Sequence, residues 1–406
     1  MIGFGCLPLN NLASSIFGVG LSGTLMAGLA PAVMAGELTD TFQMHGFMSQ
    51  ALIVSDHNDF FGPSSEQGGS LQYTELGLNA STRPTQNMLL AAQVLARKAG
   101  RNSSITDPEL DYGVLDYQLL TDQHRTMGLQ VGRFKNPFGF YNQTRDIPST
   151  RPGILLPQSI YFDRTRSVGL ATDGVTLYDE ERLGLGTLRF QVGIGRPRLN
   201  DDVESVLTVQ DERSDLTGNK TVIGQLRYEY GGGRVIAAVS GGQKGADLRN
   251  RQAGEGDFTF QPWIFSLQYN AESWSLTAEY AIRKTRLDGF HSASLNKEAI
   301  GESWYLQYTY RFLENWQWLL RYDSLTSDRD DPSGRAYEAD GLGPAYSRFA
   351  RDITTGLQWR ISSGWLIEAE WHHVDGTGWL PPQDNPDSDE TRRHWQMLLL
   401  QTSFLF

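Results

Sequence analysis

The chain has 406 residues, of which 39% are hydrophobic and 20% charged, with a formal net charge of -12. An acidic balance without any basic run excludes a nucleic-acid partner. The single cysteine, Cys6, lies in the first apolar stretch, so once that stretch is removed neither a disulfide framework nor a thiolate metal site can form.

From Met1 to Gly36 there is no charge, and an apolar run ends in the small residues Ala32, Val33, Met34 and Ala35. This reads as a secretory signal over 1–35, cleaved after about Ala35. The usual positive start is missing, which a misplaced start codon accounts for. The rival is a transmembrane helix, which the glycine content and the small-residue end disfavour. Gly3, Phe4 and Gly5 before Cys6 do not suit a lipoprotein.

Beyond Leu38 apolar and polar residues alternate in sixteen segments, the period of strands with one apolar face. They fall near 41–55, 70–82, 87–97, 109–120, 125–134, 167–179, 187–196, 220–230, 233–244, 258–270, 273–286, 302–312, 315–327, 347–361, 364–375 and 393–406. Tight turns are expected at 83–86, 121–124, 231–232, 271–272, 313–314 and 362–363, with a longer one near 180–186. Eight long loops lie between them. Short turns on one rim and long loops on the other, with about 9–11 residues per crossing, describe an all-β, antiparallel, sixteen-stranded transmembrane barrel of the outer membrane over 36–406. The mean hydropathy of -0.38 fits, because half of every strand faces water. A further hairpin hidden near 201–215 would raise the count to eighteen.

The two faces can be read directly. Trp274, Leu276, Ala278, Tyr280 and Ile282 share one side, and Trp304, Leu306, Tyr308, Tyr310 and Phe312 another. An Arg or Lys facing lipid at mid-membrane costs about 2–4 kcal/mol, so the charged sides must face inward. That gives a lumen wall of Arg97, Arg189, Arg227, Arg283, Arg311, Arg321 and Arg360. Acids share it: Glu75, Asp116, Glu229, Glu279, Asp323, Glu368 and Glu370. Tyr228, Tyr230, Tyr269, Trp274, Phe312, Trp316 and Trp365 gather beside the short turns, the expected periplasmic aromatic girdle. In the last strand Leu398, Leu400, Phe404 and Phe406 share one face, as closure against the first strand requires.

One loop differs from the rest. Residues 135–166 follow the fifth strand, are rich in proline and aromatics, and carry Lys135, Arg145, Arg151, Arg164 and Arg166 against Asp146 and Asp163. Basic groups in a narrow passage raise the local anion concentration, so this loop is expected to form a constriction that favours carboxylates or phosphate. Ion pairs that only pin the loop to the wall are the competing reading. Acidic loop stretches at 201–215, 328–331 and 384–390 suit a surface among lipopolysaccharide and shared divalent cations.

The stretch GRFKNPFG, at 132–139, and the following RPGILLPQSIYFDR, at 151–164, resemble the phosphate-selective porin superfamily and its relatives among Gram-negative porins. The resemblance implies passive passage of small hydrophilic solutes, a third long loop folded into the barrel, recognition of the C-terminal strand by the barrel-assembly machinery, and a homotrimer in lipid and lipopolysaccharide. No regular arginine ladder is present, which weakens phosphate specificity. No cofactor, metal or catalytic motif occurs, whether G-x-S-x-G, P-loop or H-E-x-x-H. His372 and His373, adjacent on a strand, point to opposite faces and cannot chelate together. Asp323 or Ser303 would be the partners of a histidine in an enzyme. The alternative to a channel is a structural or adhesin-like barrel with a plugged lumen.

Overall fold

A strand in lipid has no water to satisfy the N–H and C=O groups along its edges, so a sheet spans a bilayer only when every edge is paired. This chain meets that condition. The computed structural model describes residues 42–406 apart from 102, 201–202, 204–214, 251–253 and 291–295. The signal expected over 1–35 lies outside the described residues.

The strands are β1 Gln43–Ser55, β2 Ser70–Thr85, β3 Met88–Ala99, β4 Glu109–Thr121, β5 Arg125–Lys135, β6 Ala171–Leu183, β7 Gly186–Pro197 and β8 Asp215–Tyr230. The second half follows as β9 Val235–Asn250, β10 Gly254–Asn270, β11 Trp274–Asp288, β12 Lys297–Leu313, β13 Trp316–Thr326, β14 Phe349–Ser362, β15 Trp365–Gly376 and β16 His394–Leu405. Each pairs antiparallel with its sequence neighbours, and β1 pairs with β16 to close a barrel of sixteen. No eighteenth strand is needed for closure. At the seam Phe47 faces Leu405 and Ser55 faces Met397, and the Phe406 amide donates to the Gly46 carbonyl at 3.0 Å. The Phe406 ring lies over Gly46, where a Cβ would come within 2.5 Å of it.

Seven connections of two to four residues occupy one rim; the other rim carries the longer loops and the short β9–β10 connection. Several boundaries depart from the sequence expectation, among them the starts of β8 at Asp215 instead of 220 and of β12 at Lys297 instead of 302. The turn expected at 180–186 shrinks to 184–185, because alternation continues to Leu183 and resumes at Gly186. The sixth strand begins at Ala171 instead of 167, since Arg166–Leu170 forms a one-turn helix that closes the long loop. The ninth strand runs on to Asn250 and the tenth begins at Gly254, because Ala246, Leu248 and Phe258 keep an apolar inner face beyond the bilayer. Strands β8 to β12 run 15–17 residues, more than a crossing needs. Their outer ends carry pairs such as Lys284 with Glu298 at 2.7 Å, which mark where the lipid face stops.

Trp304, Leu306, Tyr310 and Phe312 are exposed on the outside, while Ser303, Tyr305 and Gln307 are buried inside. The aromatic girdle sits at the short-turn rim, where Trp316 stacks on Trp359 with centroids 5.1 Å apart and Tyr269 lies 5.3 Å from Trp274. The apolar core is inside the barrel, at the long-loop end. Phe60 and Phe61 of the first loop, Ile154 and Leu155 of the third, and Trp379 and Leu380 of the last pack there with inward residues of β1, β2, β13, β15 and β16.

Candidate functional site: the loop within the lumen

Pro137 cannot donate to the ladder, and β5 ends two residues before it. The chain then turns into the barrel. Two buried asparagines hold the base of the loop: Asn142 Nδ2 donates to the carbonyls of Asn136 at 2.8 Å and Gly169 at 3.0 Å, and Thr172 Oγ1 donates to Asn136 Oδ1 at 2.8 Å. Gly139 has a left-handed φ of 55° and presses against the wall, where a Cβ would sit 2.2 Å from the Tyr161 hydroxyl. No other residue fits there without displacing the loop.

From this point the loop is stitched around the interior. The Gly139 amide donates to Ser240 Oγ on β9 at 2.9 Å. The Tyr161 hydroxyl donates to Glu279 on β11 at 2.6 Å, the Ser159 amide to Asp323 on β13 at 3.1 Å, and the Leu155 amide to Glu370 on β15 at 3.0 Å. Arg321 Nη1 returns a bond to the Leu155 carbonyl at 3.1 Å. Beneath these bonds Phe138, Leu156, Ile160 and Tyr161 bury their apolar surface against Ile223, Ile264, Ala281 and Tyr305. At about 25 cal/mol per Å² of apolar area removed from water, such burial offsets part of the cost of ordering the loop.

Most of the loop's basic residues are spent on position. Arg151 pairs with Glu75 at 2.8 Å, and Arg97 reaches both Glu75 at 3.2 Å and Asp163 at 2.8 Å. Arg145 lies 3.6 Å from Asp163 and donates to the Tyr161 carbonyl at 3.0 Å. Lys135 contacts Asp111 and Asp146, and Arg166 contacts Asp146. These residues join five cations and four carboxylates in one buried network across β2, β3, β4 and the loop. The loop arginines of the sequence reading, Arg145, Arg151 and Arg166, therefore face carboxylates rather than open lumen. Arg164 is different. It donates to the Gly378 carbonyl at 2.5 Å and makes no ion pair among the described residues, while burial and the nearby Arg348 push its guanidinium down to about 10.

The wall residues divide likewise. Arg283 is buried, donating to the Ser159 carbonyl at 3.1 Å and Ser303 Oγ at 2.7 Å. Nearer the short-turn rim, Arg227 pairs with Glu229 at 2.8 Å, Arg189 with Glu180, and Asp116 accepts from the Tyr178 hydroxyl at 2.7 Å. Arg311 and Arg360, expected on the wall, are exposed at that rim, where Arg311 donates to the Glu272 carbonyl of a turn at 2.8 Å. Their strand positions are inward, but they lie at the strand ends, below the lumen proper. His372 lies inside against Asp352 at 2.8 Å and Glu370 at 3.4 Å, whereas His373 is outside, 6.1 Å from Trp371.

Sequence reading missed Lys244, Arg348 and Tyr337. Lys244 was legible from alternation, since it follows Ser240 and Gly242 on the inner side of β9; it is buried, 5.5 Å over the Phe138 ring, and finds no hydrogen-bond partner among the described residues. Arg348 and Tyr337 belong to an aperiodic loop and carried no such signal. Two cavities flank the folded loop. One of about 590 Å³ lies toward β3 and β4, with Arg97, Glu109, Asp111 and Arg133 on its walls. The other, of about 380 Å³, lies toward β10 to β14, with Arg164, Arg283 and Arg348.

No protein-family model matches the chain, and no curated protein matches it by sequence. Solved structures do match. The outer-membrane channel DcaP of Acinetobacter baumannii aligns with a TM-score of 0.56 at 13% identity, over 90% of this chain and 97% of that one. The anion-selective porin of Comamonas acidovorans aligns with a TM-score of 0.55 at 10% identity, over 90% and 99%. OmpT of Vibrio cholerae gives 0.55 at 10%, over 90% and 97%. At such identities the likeness concerns architecture, and the chain has the sixteen-stranded fold of outer-membrane porins.

Proposed function

We propose that this chain is an outer-membrane porin through which small hydrophilic solutes diffuse passively, with anions favoured at the constriction made by loop 136–170. The observation that carries the reading is the stitched loop: a polar, charged lumen is crossed by a segment whose own cations are mostly neutralised, and three guanidinium groups that make no ion pair among the described residues, Arg164, Arg283 and Arg348, line the cavity beside it. A surplus of fixed positive charge in a low-dielectric passage concentrates anions. One fold neighbour, the porin of Comamonas acidovorans, is anion-selective, which is in keeping with this reading. The mixed wall nearer the periplasmic rim, with Arg227 beside Glu229 and Arg189 beside Glu180, supplies a transverse field and no strong sign of its own.

The purified protein in a planar bilayer is expected to give discrete conductance steps and, across a KCl gradient, a reversal potential of the sign set by chloride. A cation-selective potential overturns the anion preference. A barrel that folds but never conducts overturns the channel and leaves the structural or adhesin-like reading. On the same reading the molecule reaches the outer membrane after export, assembles as a homotrimer, and seats its acidic loops among lipopolysaccharide. A single band near the monomer mass on native gels before heating would count against the trimer.

A further inference from the structure

The cavity of about 380 Å³ on the β10 to β14 side of the loop combines two kinds of wall. One is cationic: Arg164, Arg283 and Arg348 line it, and among the described residues no aspartate or glutamate does. Arg283 is 8% exposed; its two terminal nitrogens donate to Ser159 and Ser303, and its Nε has no hydrogen-bond partner among the described residues. Arg348 lies 4.6 Å over the Tyr337 ring and makes no ion pair among the described residues. Guanidinium groups gathered in a partly desolvated space with no carboxylate in ion-pair contact repel one another, so a bound anion relieves them. The other wall is apolar: Phe162, Phe258, Phe260, Leu325 and Leu380. Arg283 stacks on Phe162 at 4.5 Å, which binds the two walls into one rigid surface.

We propose that this cavity is a binding site for an organic carboxylate with an aromatic or branched apolar body. Its carboxylate meets Arg164 and Arg348, with the buried Arg283 adding positive charge from the wall behind them; its body lies against Phe258, Phe260 and Leu325. Inorganic phosphate or chloride could neutralise the arginines but would leave the apolar wall exposed to water. The volume falls in the range of small-ligand sites, about 300–1,000 Å³, and suits a single-ring ligand. The inference deepens the channel reading and rests on it only for how the ligand enters.

The test uses the full barrel in detergent, with benzoate and inorganic phosphate as probes in isothermal titration at equal ionic strength. Benzoate is expected to bind, and phosphate to bind about tenfold more weakly or not at all. Arg164→Ala with Arg348→Ala should weaken benzoate by about tenfold or more, while Phe260→Ala weakens benzoate and leaves phosphate unchanged. Heat-modifiable gel mobility confirms that each variant is folded; neither arginine belongs to the buried ion-pair network, so the barrel should survive. Phosphate binding as tight as benzoate overturns the organic class. Absent benzoate binding, or equal binding by the arginine variants, overturns the site. A protein that conducts but binds no benzoate loses this inference alone. One that binds benzoate through these arginines but never conducts loses the channel instead.

Discussion

Glu75 shows how one residue's value depends on its surroundings. It is almost fully buried and receives Arg151 at 2.8 Å and Arg97 at 3.2 Å, with Ser49 Oγ at 3.3 Å. Exposed pairs contribute little, but removing one partner from a buried set strands the others and costs about 3–5 kcal/mol. Glu75→Ala is thus expected to destabilise the loop by that order, read as faster proteolysis within 136–170 with the barrel still heat-modifiable. An unchanged cleavage rate would mean that the apolar stitches suffice. Asp331 acts through the backbone instead. It accepts the Tyr337 amide at 3.0 Å at the start of a one-turn helix, and that bond holds its carboxyl below the ordinary 3.8. A folded value below the unfolded one stabilises above about pH 3.8 and is lost as pH falls through the folded value. Acidification below pH 3.8 should raise amide exchange at Tyr337, and Asp331→Asn should remove that pH dependence. Equal pH profiles for the two proteins would exclude the carboxylate.

At the scale of the element, each strand keeps a strict division of faces over the thickness of the bilayer and then abandons it. On β11 the outward positions read Trp274, Leu276, Ala278, Tyr280 and Ile282 before Lys284, which fits a crossing of about 9–11 residues. Leu306 sits mid-way along the outer face of β12 and is exposed to lipid. Leu306→Arg should cost about 2–4 kcal/mol of barrel stability, measured as a lower denaturant midpoint in lipid vesicles. If this residue faced the lumen instead, the midpoint would hardly move.

The whole molecule depends on how the loop is held. It touches the wall at β2, β9, β11, β13 and β15, so it is positioned by the closed barrel and not by any one strand. Lys135 and Arg166 anchor its two ends to the same carboxylate, Asp146. Asp146→Ala should free both ends and yield larger or noisier single-channel currents, provided that the loop limits conduction. Currents identical to those of the parent protein would move the constriction elsewhere.

All sixteen strands, the inward and outward faces, the girdle beside the short turns and the seam at Phe406 were legible in the sequence, because alternation is a local property that lipid on one side and water on the other impose residue by residue. The overlong β9–β10 hairpin was not, since its pattern beyond the membrane is no longer disciplined by lipid. The loop's importance could be read from its length and charge, but not which of its cations are neutralised. Glu75 and Arg151 are 76 positions apart, and Arg164 and Arg348 meet the same cavity from separate loops. Whether a charge is paired or free is decided by distances of a few ångströms between segments remote along the chain, and only the closed barrel sets those distances.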